Sequence, residues 1–196
     1  MPLFIPIFVT IFVLTTHVVL LRLNAFAFIL PIPGSKIFGD LEIVTRSSAC
    51  YVRKSGFDFF GQDCSNWGKD LNTYPSEPYN YPGSWARILA AFRVTEEQTV
   101  GIGLVLIALF AISYGILTYL FRINNVSNSS IFIIFLTSLS PATFLAIERA
   151  NIDLFVFFIV VVAIYVKSIN RNLVTAYLIA LAAALKFILL EHYRSI

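Results

Sequence analysis

Gly39-Asp40-Leu41-Glu42 sets two carboxylates two positions apart, directly after an apolar N-terminal region. That places both carboxylates near where the head group of a membrane-bound substrate would lie. The same residues read as a helix start. Asp40 would be its N-cap, Leu41, Val44, Tyr51 and Val52 one of its faces, and Gly56 its stop just past Lys54. The two roles are compatible, because a cap is a carboxylate held in place.

A second group runs from Leu139-Ser140-Pro141 to Glu148-Arg149-Ala150-Asn151-Ile152-Asp153. The proline, inside an apolar stretch, leaves a backbone carbonyl in need of a polar partner. Glu148, Arg149, Asn151 and Asp153 crowd between two apolar runs, where polar groups either line a cavity or form a solvated turn with a local ion pair of little worth. Lys186, between Leu185 and Phe187, is either a snorkelling lysine or a cation for a phosphate. Tyr74, Tyr79, Tyr81 and Trp85, with Trp67 upstream, suit an interfacial aromatic belt or the stacking face of a sugar site.

The elements that position these groups follow from where charge is missing. Of 196 residues, 58% are hydrophobic and 13% charged, against about 45–50% and about 25% in soluble domains. Mean hydropathy is +0.82. That composition excludes an ordinary soluble domain, and a net charge of +3 without a basic run argues against a nucleic-acid partner. The fold class predicted is an all-α polytopic membrane protein of about five transmembrane helices. Leu3–Leu21 is the first and Gln98–Phe121 the second. The third starts near Ser130 and ends before Glu148. Leu154–Val166 and Asn172–Leu185 complete the set if Lys167 snorkels and Lys186 lies inside the fifth helix.

Three regions result. Residues 1–32 hold the first span and an apolar piece, Leu23–Ile32, suited to the interface. Residues 33–97 form a mixed, partly helical exported loop with seven Lys/Arg, eight Asp/Glu, both cysteines and both tryptophans. Residues 98–196 carry the remaining spans. Arg122, Lys167 and Arg171 in short loops mark the cytoplasmic side, which leaves the long loop and the Glu148–Asp153 turn together outside. Ala25-Phe26-Ala27 has the form of a signal-peptide cleavage site. The missing basic n-region and the intervening Arg22 favour an uncleaved span. Cys50 and Cys64 share the exported loop, where an oxidising compartment would allow a disulfide. No metal-ligand spacing accompanies them, and the Asn125 and Asn128 sequons fall on the cytoplasmic side, so neither a zinc site nor glycosylation is expected.

Taken in order, one span, Gly39-Asp40, Gly56-Phe57-Asp58-Phe59-Phe60, Tyr79-Asn80-Tyr81-Pro82 with Trp85, Glu148-Arg149-Ala150-Asn151-Ile152-Asp153 and Leu185-Lys186-Phe187 resemble bacterial polytopic proteins of the GT-C glycosyltransferase superfamily. The fifth motif resembles E-R-G-N-x-D, with Ala150 in the glycine position. The third resembles G-x-D-P-Y, with Phe59 and Phe60 in the last two positions. The resemblance implies transfer of a sugar from a polyprenyl-phosphate donor to a glycan or lipid acceptor on the outer face of the membrane. By position Asp40 would be the catalytic base and Glu42 its alternate. One base could suffice, because the phosphate is already a good leaving group. Arg149 and Lys186 would hold that phosphate, with Arg53 and Lys54 as loop alternatives. Glu148, Asn151, Asp153, Asp58, Tyr81 and Trp85 would complete the substrate site. The resemblance calls for no cofactor and leaves a divalent cation open. Members of the superfamily usually carry more spans, so the chain reads as an N-terminal part or a truncated and inactive member that would want a membrane protein partner. The reading from another class is a non-catalytic assembly, lipid-binding or transport subunit whose exported loop docks a partner. Convergence of Asp40, Arg149 and Lys186 on one outer-face cavity connected to lipid would favour the enzyme, and scattered positions the docking role.

Overall fold

The computed structural model describes residues 4–22, 38–53 and 83–191. Every regular element among them is helical. In chain order these are α1 (Phe4–Arg22), α2 (Gly39–Arg53), α3 (Gly83–Ala91), a 3-10 turn over Glu96–Gln98, α4 (Thr99–Ile123), α5 (Asn128–Ser138), α6 (Pro141–Glu148), α7 (Asp153–Ser168) and α8 (Asn172–Glu191). Asp58, Tyr81, Lys54 and Cys64 lie outside the described residues. Cys50 is disulfide-bonded, and Cys64 is the chain's other cysteine.

Two helical stretches, Phe4–Arg22 and Glu96–Ile123, are long and apolar enough to cross a membrane. Ser129–Ser138 and Pro141–Glu148, bent by 43° at their junction, make a third when taken as one broken span. α7 has 16 residues, or about 24 Å at 1.5 Å per residue, short of a hydrocarbon core about 30 Å thick. The apolar part of α8, Asn172–Lys186, is likewise short. Helix length alone therefore supplies two spans and one bent pair of the five expected. Lys167 does occupy the last turn of α7, and Lys186 does lie within α8.

The core forms where α1, α4, α6 and α7 meet, with Val13, Ile107, Phe110, Ala111, Tyr114, Ile147 and Leu154 all buried. α1 crosses α4 at Gly115, where a β-carbon would run into Thr10 Oγ1 and stand 3.3 Å from the Pro6 carbonyl. Side-chain hydroxyls in these apolar helices fold back on their own backbone: Thr10 on Pro6 O at 3.0 Å, Ser113 on Leu109 O at 2.8 Å and Thr118 on Tyr114 O at 2.7 Å. Lipid offers no other partner, so this is how such residues are tolerated. The opposite faces present Ile7, Phe8 and Ile11 of α1, Phe132 and Ile133 of α5, and Leu173 and Tyr177 of α8, all exposed. An apolar exterior of this extent suits lipid.

Pro141 begins α6 and does not bend a continuous helix from within. Ser140 is its N-cap, accepting from Thr143 N at 3.2 Å, and proline at the first helical position has no donor to lose. The carbonyl that Pro141 would otherwise have met, Thr137 O, accepts from Thr143 Oγ1 at 2.9 Å and Ser140 N at 3.2 Å. The next, Ser138 O, faces Nε2 of His17 at 3.1 Å. His17 is fully buried, its Nδ1 lies 2.7 Å from Val13 O, and Phe110 and Phe144 enclose the ring. It ties α1 to the break in the span. His17→Leu, which takes the polar partner from a buried carbonyl, is expected to cost about 1–3 kcal/mol. His17→Gln, retaining a donor, should cost less. Thermal unfolding of both variants in detergent checks the order.

Candidate functional site

The site is built by two helix ends facing one another. Phe38 takes the cap position that Asp40 was expected to hold: its carbonyl accepts Glu42 N at 2.8 Å, and α2 begins at Gly39, which puts Asp40 and Glu42 in the first turn. Phe38 N donates to Glu148 O at 2.6 Å, and Leu41 N donates to Arg149 O at 3.2 Å. Donors without intrahelical partners at the start of α2 thus meet carbonyls without partners at the end of α6. The positive end of one helix dipole faces the negative end of the other.

That docking juxtaposes motifs far apart in the chain. Arg149, the C-cap of α6, approaches Asp40 with Nη1 to Oδ1 at 3.4 Å. The separation exceeds the 2.7–2.9 Å or so of a strong charged hydrogen bond, so a better anion can draw the guanidinium away. Asp40 is mostly covered, at 15% side-chain exposure against 41% for Arg149. Lys186 reaches from α8 to Asp153 at the start of α7, with Nζ to Oδ1 at 2.6 Å. This second pair is about half exposed on both sides. Glu148 is buried at the end of α6.

Asn151 orders the turn between the two cations, its Oδ1 accepting Asp153 N at 2.9 Å and so starting α7. Ala150 has φ of 47°, with Asn151 N bonded to Ala146 O at 2.9 Å and Ala150 N to Ile147 O at 3.0 Å. This is the left-handed helix stop that normally takes glycine. Arg93, Asn125 and Asn170 have the same sign of φ after α3, α4 and α7. At Ala150, which is fully buried, a β-branched side chain would add crowding to strain. Ala150→Val is therefore expected to destabilise by about 2–4 kcal/mol. Ala150→Gly should stay within about 1 kcal/mol of the parent. Unfolding midpoints in one detergent distinguish the two.

Around this centre α2, α3 and the start of α4 pack together. Thr45 Oγ1 and Thr99 Oγ1 lie 2.6 Å apart, and Ser48 Oγ donates to Val94 O at 2.6 Å, so α2 is anchored on the start of α4. The buried face of α2 is Leu41, Val44, Thr45 and Ser48; Tyr51 and Val52, expected on that face, are half-buried. Trp85, expected beside a sugar, packs inside a cluster with Val44 and Ile152 at 9% exposure, its ring edge-on to Phe155 at 6.2 Å. Its observed role is to hold α3 beneath the site. Glu42 pairs with Arg46, whose Nε stands 3.7 Å from Glu96. Arg46 is a member of the site's charge network that the motifs had not singled out, although its i,i+4 spacing from Glu42 signals it. No group of three or more potential metal ligands occurs among the described residues.

Asp40, Arg149, Asn151, Asp153 and Lys186 thus belong to one connected polar locality at one end of the helices. It offers a mostly covered carboxylate beside one cation, Arg149, with a second, Lys186, paired to Asp153 on the adjoining turn. Comparison with family models, with characterised proteins and with solved structures yields no match to this chain.

Proposed function

We propose that the chain is a GT-C-like membrane glycosyltransferase, moving a hexose or pentose from a polyprenyl-phosphate donor to a glycan or lipid acceptor on the outer face of a bacterial cytoplasmic membrane. The observation that carries this reading is the contact of Asp40 with Arg149. It brings together two of the resembling motifs, and Lys186 of another reaches the same turn through Asp153. A docking module has no need of such convergence.

In this reading α1, α4, the bent pair α5–α6, α7 and α8 are five crossings, with Lys167 snorkelling and Lys186 near the outer face. Asp40 removes the proton of the acceptor hydroxyl as its oxygen attacks the anomeric carbon. The bond from that carbon to the phosphate oxygen breaks, and the electron pair leaves on the phosphate. Arg149 and Lys186 exchange their carboxylate partners for it, stabilising the charge where it develops. A glycosidase, by contrast, ordinarily needs two carboxyls flanking the scissile bond.

The test is transfer of radiolabelled sugar from synthetic polyprenyl-phosphate sugars by membranes expressing the chain. Transfer that depends on Asp40 supports the reading. No transfer by folded, inserted protein from any hexose or pentose donor overturns it in favour of a non-catalytic subunit.

A further inference from the structure

The opposite end of the bundle has a charge pattern of its own. α4 and α7 finish side by side there, with the rings of Tyr119 and Tyr165 6.5 Å apart. Arg122 follows Tyr119 by one helical turn, Lys167 follows Tyr165, and Arg171 lies just before α8 after the tight turn at Asn170. All three cations are exposed. Lys167 Nζ donates to the neutral Asn172 Oδ1 at 2.7 Å, so its charge is not compensated by that contact. Asp40, Glu42, Glu96, Glu97, Glu148 and Asp153 belong to the Asp40 end. Beside the cations Ile123, Ile169 and Leu173 are exposed.

We propose that this end binds the headgroup of an anionic phospholipid, with the phosphodiester against Arg122, Lys167 and Arg171 and the acyl chains along the apolar residues beside them. Clustered cations at the mouth of membrane helices attract acidic headgroups. The rim of tyrosine and aliphatic side chains favours a lipid over a free anion, which would gain nothing from it. The site is separate from the Asp40 locality, and binding there is independent of sugar transfer.

The full chain, purified in a neutral detergent, is titrated with dioleoylphosphatidylglycerol and with dioleoylphosphatidylcholine, and bound lipid is counted by native mass spectrometry. The expected result is preference for the anionic lipid, weakened about fivefold for each cation removed in Arg122→Gln, Lys167→Gln and Arg171→Gln. Arg93→Gln, at the other end, should leave the preference unchanged. The charge-conserving pair Arg122→Lys with Arg171→Lys should keep it, which separates lost charge from lost folding. Equal binding of the two lipids, a preference that survives the triple Gln variant, or displacement of the lipid by millimolar inorganic phosphate would overturn the proposal.

Discussion

Asparagine at position 40 is expected to lower sugar transfer by about 10²–10⁴-fold, the usual contribution of a general base. The substitution is nearly isosteric, and its side-chain oxygen can still accept from Arg149. What is lost is the negative charge, and with it the capacity to take a proton. The Asp40–Arg149 pair is long at 3.4 Å and open on the arginine side, and ion pairs of that kind contribute about 0–1 kcal/mol. Unfolding of Asp40→Asn should therefore stay close to that of the parent. The start of α2 is held by the backbone bonds to Glu148 O and Arg149 O, neither of which involves the carboxylate. Glu42 is the internal control. It is engaged with Arg46, and Glu42→Gln should retain far more activity than Asp40→Asn. Full transfer by Asp40→Asn would remove the central claim, whatever Glu42→Gln does.

What the chain reveals before folding depends on whether the cue is local. Charge-free runs placed α1 and α4 to within two residues, because the cost of a charge in lipid is felt residue by residue. Pro141 marked the break in the third span for the same reason, as a missing N–H is visible in one letter. The partner of the next carbonyl, Ser138 O, was not legible. His17 and Ser138 are 121 positions apart, and no periodicity relates them. The helix stop at Ala150 was also concealed, since alanine gives no sign of a left-handed backbone that glycine or asparagine would have advertised. Thr45 and Ser48 look like solvent residues by type, yet they form the buried seam of α2 because Thr99 and Val94 supply their hydrogen bonds. Trp85 was ambiguous at the outset, with both an apolar ring and a polar edge, and tertiary packing against Phe155 decided its place. The polar groups of the Glu148–Asp153 turn were legible by type, crowded between two apolar runs. The meeting of Arg149 with Asp40 follows from the pairing of the α2 and α6 ends, a property of the fold and not of either motif.

That pairing can be broken without touching a charged residue. Phe38 has φ of 65° and is almost completely buried, and its ring lies where a β-carbon on Gly103 would stand, 2.5 Å from Cδ2 and Cε2 and 2.8 Å from Cζ. α4 therefore needs glycine at this turn to receive the ring, and the ring in turn fixes a strained backbone whose N–H holds Glu148 O at 2.6 Å. Gly103→Val should expel Phe38. Overpacking at such a contact costs about 1–3 kcal/mol, which a bundle held chiefly by α1, α4 and α7 can bear. The larger effect falls on geometry. Once Phe38 leaves, the start of α2 loses its register against α6, and Asp40 moves relative to Arg149. A displacement of about 1 Å is enough to lower a positioned reaction about 10²-fold. The expected signature is transfer reduced about as far as in a mild Asp40 variant, in protein that still inserts and still unfolds cooperatively. Phe38→Ala combined with Gly103→Val supplies the decisive comparison. If the glycine acts only by admitting the ring, the double variant should be no less stable than Gly103→Val, and its transfer should remain as low. If the double variant regained full transfer, the Phe38 anchor would have no part in placing Asp40.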